Sequence, residues 1–124
     1  MIGYLTLGTN DITRAAAFYD AVLGEIGAKR LMDYPTCIAW GVSQDKPSLG
    51  VIKPYDGQPA TVGNGVMAAI VVDSRDKVAR VHRKALELGG KDEGPVGERS
   101  PSFYAGYFRD PDGNKLNVFC MGAA

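Results

Sequence analysis

Phe108-Arg109-Asp110-Pro111-Asp112-Gly113-Asn114-Lys115-Leu116 reads as a sharp reversal between two strands. Proline presets a turn dihedral, aspartate bonds back to the local backbone, and glycine accepts positive φ. The spacing therefore predicts strands over 103–109 and 115–119. Just upstream, residues 91–101 are polar and turn-rich, with Pro95, Gly97 and Pro101, and are expected to form a loop. Before that loop a helix runs to about Leu88, capped by Asp73 or Ser74. Its apolar stripe is Val78, Val81, Ala85 and Leu88, and Gly89-Gly90 stops it. A strand over 66–72 leads into this helix.

The first half of the chain has the same plan. Residues 2–8 form a strand, and Thr9-Asn10-Asp11 supplies side-chain oxygens for the orphan amides of a helix start. Ile12, Ala15, Ala16, Tyr19, Val22, Leu23 and Ile26 recur at helical spacing, and Gly24 or Gly27 can end the helix. Strands are expected over 36–42 and 49–53, with the polar stretch 43–48 as their hairpin loop. Pro54, Gly57, Pro59, Gly63 and Gly65 mark 54–65 as the connector between the halves. Strand, helix and strands thus occur twice, which excludes an all-helical or all-β fold. Periodicity alone leaves a ferredoxin-like sandwich open.

Composition narrows the function classes. With 124 residues, one compact domain can bury a core without metals or disulfides. Fourteen basic and fourteen acidic side chains cancel, which argues against a general binder of nucleic acid or acidic membranes. No apolar stretch approaches the roughly 18–20 residues needed to span a bilayer. Met1 to Gly8 lacks the basic start and long apolar run of a signal peptide, so a cytoplasmic location is expected. Cys37 and Cys120 are then expected to be reduced thiols. No nucleophile elbow or phosphate-binding glycine loop is present, and one histidine cannot easily serve a triad.

Four stretches carry a family resemblance. Leu5-Thr6-Leu7-Gly8-Thr9-Asn10-Asp11 is followed by Ala17-Phe18-Tyr19-Asp20-Ala21-Val22-Leu23-Gly24, Gly63-Asn64-Gly65 precedes the mid-chain strand, and Phe108 to Leu116 closes the chain. In order and spacing they resemble the vicinal oxygen chelate superfamily, which includes glyoxalases, bleomycin-resistance proteins and extradiol dioxygenases. The resemblance implies an α+β fold of two βαβββ modules, about 1–56 and 65–121 of a single 1–124 domain, forming a cupped mixed sheet. It also implies a homodimer with ligand sites in the cups at or near the interface.

Departures from the family pattern bear on chemistry. Metal-using relatives carry histidines on the first strand of each module, a further ligand late in module one and a glutamate on the last strand. The matching positions here are Tyr4, Met67, the run Leu49-Gly50-Val51-Ile52, and Asn117. A thioether is too soft, and an amide oxygen too weak, for the hard divalent ions this chemistry uses. No metal and no cofactor are therefore expected. His82 lies mid-helix beside Arg83 and Lys84, and is expected to be a solvated or partly buried surface residue. The basic helix around it is expected to be a wet face rather than a nucleic-acid site. Glu93, Glu98 and Arg99 fall in the expected loop before Phe103, where exposed ion pairing is the ordinary role.

Strand parity then suggests a cup lining. If Tyr4, Met67 and Asn117 face inward, so do Thr6, Ala69 and Phe119. The resemblance adds Tyr107, and Trp40 is a candidate wall. The expected ligand-binding set is Tyr4, Thr6, Trp40, Met67, Tyr107, Asn117 and Phe119, an apolar and aromatic pocket with a few polar tips. The bland alternative is that these residues only fill the core. Two functional readings follow. One is a metal-independent binder of a small apolar or aromatic molecule. The other is a lyase, isomerase or dioxygenase that recruits metal through Tyr4 and Asn117 as unusual ligands. A metal-free enzyme using Tyr4 or Tyr107 as acid or base is a third.

Overall fold

The computed structural model describes residues 1–122. The first module contains β1 (Tyr4–Gly8), α1 (Ile12–Gly24), β2 (Lys29–Tyr34), β3 (Cys37–Gly41) and β4 (Ser48–Ile52). The second contains β5 (Ala68–Val71), α2 (Arg75–Glu87), β6 (Lys91–Ser100), β7 (Phe103–Arg109) and β8 (Lys115–Met121). The chain is α+β, with two four-stranded sheets ordered β1-β4-β3-β2 and β5-β8-β7-β6. In each sheet the first strand lies parallel to the last, and the other pairings are antiparallel.

Both helices start on side-chain caps. Asp11 accepts from the Arg14 amide and Ser74 from the Lys77 amide. Each helix lays its apolar stripe on one face of its own sheet, and the two helices also pack on each other. Phe18 of α1 lies 6.4 Å from Phe108 of β7, ring centre to ring centre. The buried apolar side chains of both modules therefore merge into one cluster, including Leu7, Phe18, Tyr19, Val22, Trp40, Val51, Val78, Val81, Phe108, Leu116 and Val118. The sheet faces turned away from the helices are left outside this cluster.

The Asp110–Asn114 turn fastens the second module to the first. Asp110 is buried, accepting from the Tyr19 hydroxyl at 2.6 Å, the Asn114 side-chain amide at 3.0 Å and the backbone amides of Asp112 and Asn114. Asn114 also donates to the Gly8 carbonyl, and Thr9 donates to Asp112. Gly113 adopts φ +93, the left-handed conformation that the turn requires of its glycine.

Two expectations need correction. Residues 91–101 are not a loop, because 91–100 form the edge strand β6, paired to β7 through several irregular registers. An edge strand tolerates Pro95 because one side of its ladder has no partner to lose. The first sheet also contains β2, a strand that the sequence pattern did not predict.

Candidate functional site

Alternation along each strand sorts side chains between a helix-covered face and an open face. On the first sheet Leu7 enters the core, which puts Tyr4 and Thr6 on the open face, opposite Ser48 and Gly50 of β4. Tyr4 is 65% exposed there. Trp40 does not join them. It pairs with Leu49, which in turn pairs with Leu5, so it belongs to the helix-covered face. It is 1% exposed and packs 5.4 Å from the Tyr19 ring, and its indole donates to Asp20 at 2.8 Å. Trp40 is thus part of the core, not a wall of the cup.

On the second sheet, Asn117 lies between Ala69 of β5 and Tyr107 of β7. Phe119 lies between Val71 and Ala105, and its ring stacks on Phe103 at 5.3 Å. Leu116, Val118 and Cys120 fill the helix side, so Asn117 and Phe119 belong to the open face. Met67 sits just ahead of β5 in a cleft of ≈ 520 Å³, lined also by Val62, Val66, Arg109 and Lys115. Four of the seven expected residues, Met67, Tyr107, Asn117 and Phe119, therefore share the open face of the second sheet or its rim. Tyr4 and Thr6 occupy the open face of the first. The hydrogen-bonded strand pairings stay within each sheet.

Asn117 is 2% exposed, and its Oδ1 has no hydrogen-bond partner among the described residues. An unmade bond at a buried acceptor costs about 1–3 kcal/mol, so such an atom marks a place where a further donor is wanted. Two residues outside the expected set border Tyr107, its cross-strand partner. The Arg99 guanidinium lies 5.4 Å and the Lys115 ammonium 5.6 Å from the centre of the Tyr107 ring. Arg99 donates to the Gly97 and Pro95 carbonyls. A Cβ at Gly94 would come within 3.2 Å of Arg99 Nη2 and 3.3 Å of Tyr107 Cδ1, so glycine leaves room for the guanidinium. Lys115 was detectable by parity, two residues from Asn117. Arg99 was hidden by the glycines and proline of β6.

The other flagged residues are structural. Glu98 pairs with Arg75 at 3.2 Å and Glu93 with Arg109 at 3.3 Å, both near the surface. His82 is not a surface residue. It is 6% exposed between α2 and β7, and its Nε2 lies 3.1 Å from the Tyr107 carbonyl and 3.2 Å from Asp92. A larger groove of ≈ 720 Å³ runs along α1 and β2, but its charged groups are already joined in the Asp20–Arg30–Asp33 cluster.

The residues present do not fit the metal of the glyoxalase pattern. Among the described residues no three His, Cys, Asp or Glu side chains come together. The open face of the second sheet and its rim offer the Asn117 amide oxygen, the Tyr107 hydroxyl and the thioethers of Met67 and Met121, while the Tyr4 hydroxyl belongs to the other sheet. That donor set is poor for a hard divalent ion.

The family model for the Glyoxalase/Bleomycin resistance protein/Dioxygenase superfamily matches residues 1–118. The chain belongs to this superfamily. Within the glyoxalase superfamily, a glyoxalase/bleomycin resistance protein from Albidiferax ferrireducens T118 is similar at 32% identity and TM-score 0.89, over 96% of this chain and 97% of that one. The lactoylglutathione lyase of Agrobacterium tumefaciens shares the fold at 22% identity and TM-score 0.69, over 96% and 92%. The fosfomycin resistance protein FosX of Mesorhizobium loti does so at 15% and 0.68, over 99% and 92%. No curated protein matches the chain.

Proposed function

We propose that this glyoxalase-superfamily chain binds a small, largely apolar or aromatic organic molecule without metal. The observation that carries the reading is Asn117 Oδ1, a buried acceptor without a donor among the described residues, on the sheet face that also carries Tyr107 and Phe119. An apolar lining with a few directed polar groups is what a small-molecule site needs. The reading includes a second copy of the chain that closes the open face. Its support is the exposed apolar surface there, with Val71 and Met121 on the second sheet and Tyr4 on the first all uncovered. It also includes a cytoplasmic setting, on the chemistry of two free cysteines.

Calorimetric titration of chelator-stripped protein with zinc, nickel, manganese and ferrous ions tests the metal-free claim. The expected result is no stoichiometric binding at tens of micromolar. Tight uptake, lost in Tyr4→Phe or Asn117→Ala, would return the chain to the metal-dependent lyases, isomerases or dioxygenases. Sedimentation at micromolar concentration is expected to give a dimer.

A further inference from the structure

The two cations beside Tyr107 give the site a chemical preference. Nine ion pairs of lysine or arginine with carboxylates join side chains among the described residues, and none involves Arg99 or Lys115. Most of the other cations near this sheet are already neutralised. Arg109 pairs with Glu93, and Arg75 with Glu98. Arg99 is also held in place. Its guanidinium lies near the Tyr107 ring, two backbone carbonyls take two of its five N–H donors, and Gly94 leaves it space. The remaining donors form a planar fork that suits a carboxylate. Lys115 lines the ≈ 520 Å³ cleft and also lies beside the same ring.

Lys115 and Asn117 are two residues apart on β8, about 7 Å along the strand. Both face the open side of the second sheet, where the Lys115 ammonium reaches over the ring of Tyr107, the cross-strand partner of Asn117. Phe119 and Met67 supply apolar surface beside it. Resting on the small-molecule reading above, we propose that the ligand is an aromatic carboxylate. Its carboxylate is held by Lys115 and Arg99, and its ring lies beside Tyr107.

The test uses 4-hydroxybenzoate as probe and 4-hydroxybenzamide as its neutral isostere. Both are titrated into the full chain while the backbone amides of Gly94 and Gly97 and the side-chain amide of Asn117 are followed by NMR. The acid is expected to bind about tenfold more tightly than the amide and to move those signals. Arg99→Met and Lys115→Met are each expected to reduce that preference, and the double variant to abolish it. Both replace partly or fully exposed side chains, and an unchanged melting temperature would show that each variant folds. Equal affinity of the two probes overturns the charge preference and leaves the pocket reading standing. A preference that persists in the double variant likewise overturns it. No binding of either probe at millimolar concentration overturns both.

Discussion

Gly106 and His82 share one space in the core. A Cβ built on Gly106 would lie 2.9 Å from His82 Cδ2 and 2.9 Å from Val96 Cγ2. The imidazole cannot easily withdraw, because its Nε2 is held near Asp92 and the Tyr107 carbonyl. Gly106→Ala is therefore expected to destabilise the protein by about 1–3 kcal/mol, as overpacking does. Gly24→Ala meets nothing within 4 Å and should be neutral or slightly stabilising. Urea denaturation of the two variants checks the contrast. The burial of His82 was legible in the sequence, since it lies four residues after Val78 and three before Ala85, on the stripe that enters the core. What hid it was residue type, because a run of Arg83 and Lys84 beside it looks solvated. Its small partner Gly106 lies far away in the chain, and local pattern does not report such contacts.

At the level of elements, Asp20 ties α1 to strands β2 and β3 of the first sheet. Its carboxylate takes two bonds from Arg30 of β2, at 3.0 and 2.8 Å, and one from the Trp40 indole of β3. Arg30, and with it Trp40, holds this carboxyl below the ordinary aspartate range against the opposing effect of partial burial. A folded pKa below the unfolded one means that the stabilisation is present above the unfolded value, about 3.9, and is lost as pH falls through the folded value. Asp20→Asn keeps an acceptor for Trp40 and breaks a half-exposed ion pair, so a loss of about 1 kcal/mol or less is expected at neutral pH. Asp20→Ala also strands the buried indole donor, for about 1–3 kcal/mol. Stability measured from neutral pH down to about pH 2 should show the gap between wild type and Asp20→Asn closing only below about pH 4. The same elements explain which strands the sequence disclosed. The inner strands β3, β4, β7 and β8 are rich in apolar residues and were visible. Five of the six residues of β2 are exposed, and β6 carries glycine and proline, so neither edge shows an alternating pattern. Strand β3 misled in the opposite way. Ile38, Ala39 and Trp40 are all buried, so no polar residue marked which side Trp40 faced.

On the scale of the whole molecule, the Tyr19–Asp110 bond couples the two modules. Burial, followed by the charge of Asp110, pushes the Tyr19 hydroxyl well above its ordinary pKa, so it stays protonated as a donor. Tyr19→Phe should cost about 1–2 kcal/mol, and Asp110→Ala several, because the latter strands the donors of Tyr19, Asp112 and Asn114 at once. Trp40 is the only tryptophan and lies in the first module, whereas Asp110 lies in the second. If the modules unfold as one, Trp40 fluorescence and far-UV circular dichroism should shift to lower denaturant together in Asp110→Ala. A fluorescence transition that stays in place would mean that they unfold separately. The twofold plan and the turn at Asp110 were legible in the sequence. The shared core was not, because the contacts of Phe18 with Phe108 and of Tyr19 with Asp110 span most of the chain. This shared core has a consequence for biosynthesis. The N-terminal half leaves the ribosome before Phe108 and Asp110, the partners of Phe18 and Tyr19 in the second module, have been made. Until β7 and its turn have been translated, the nascent chain carries an exposed aromatic surface open to chaperones and to neighbouring polysomes.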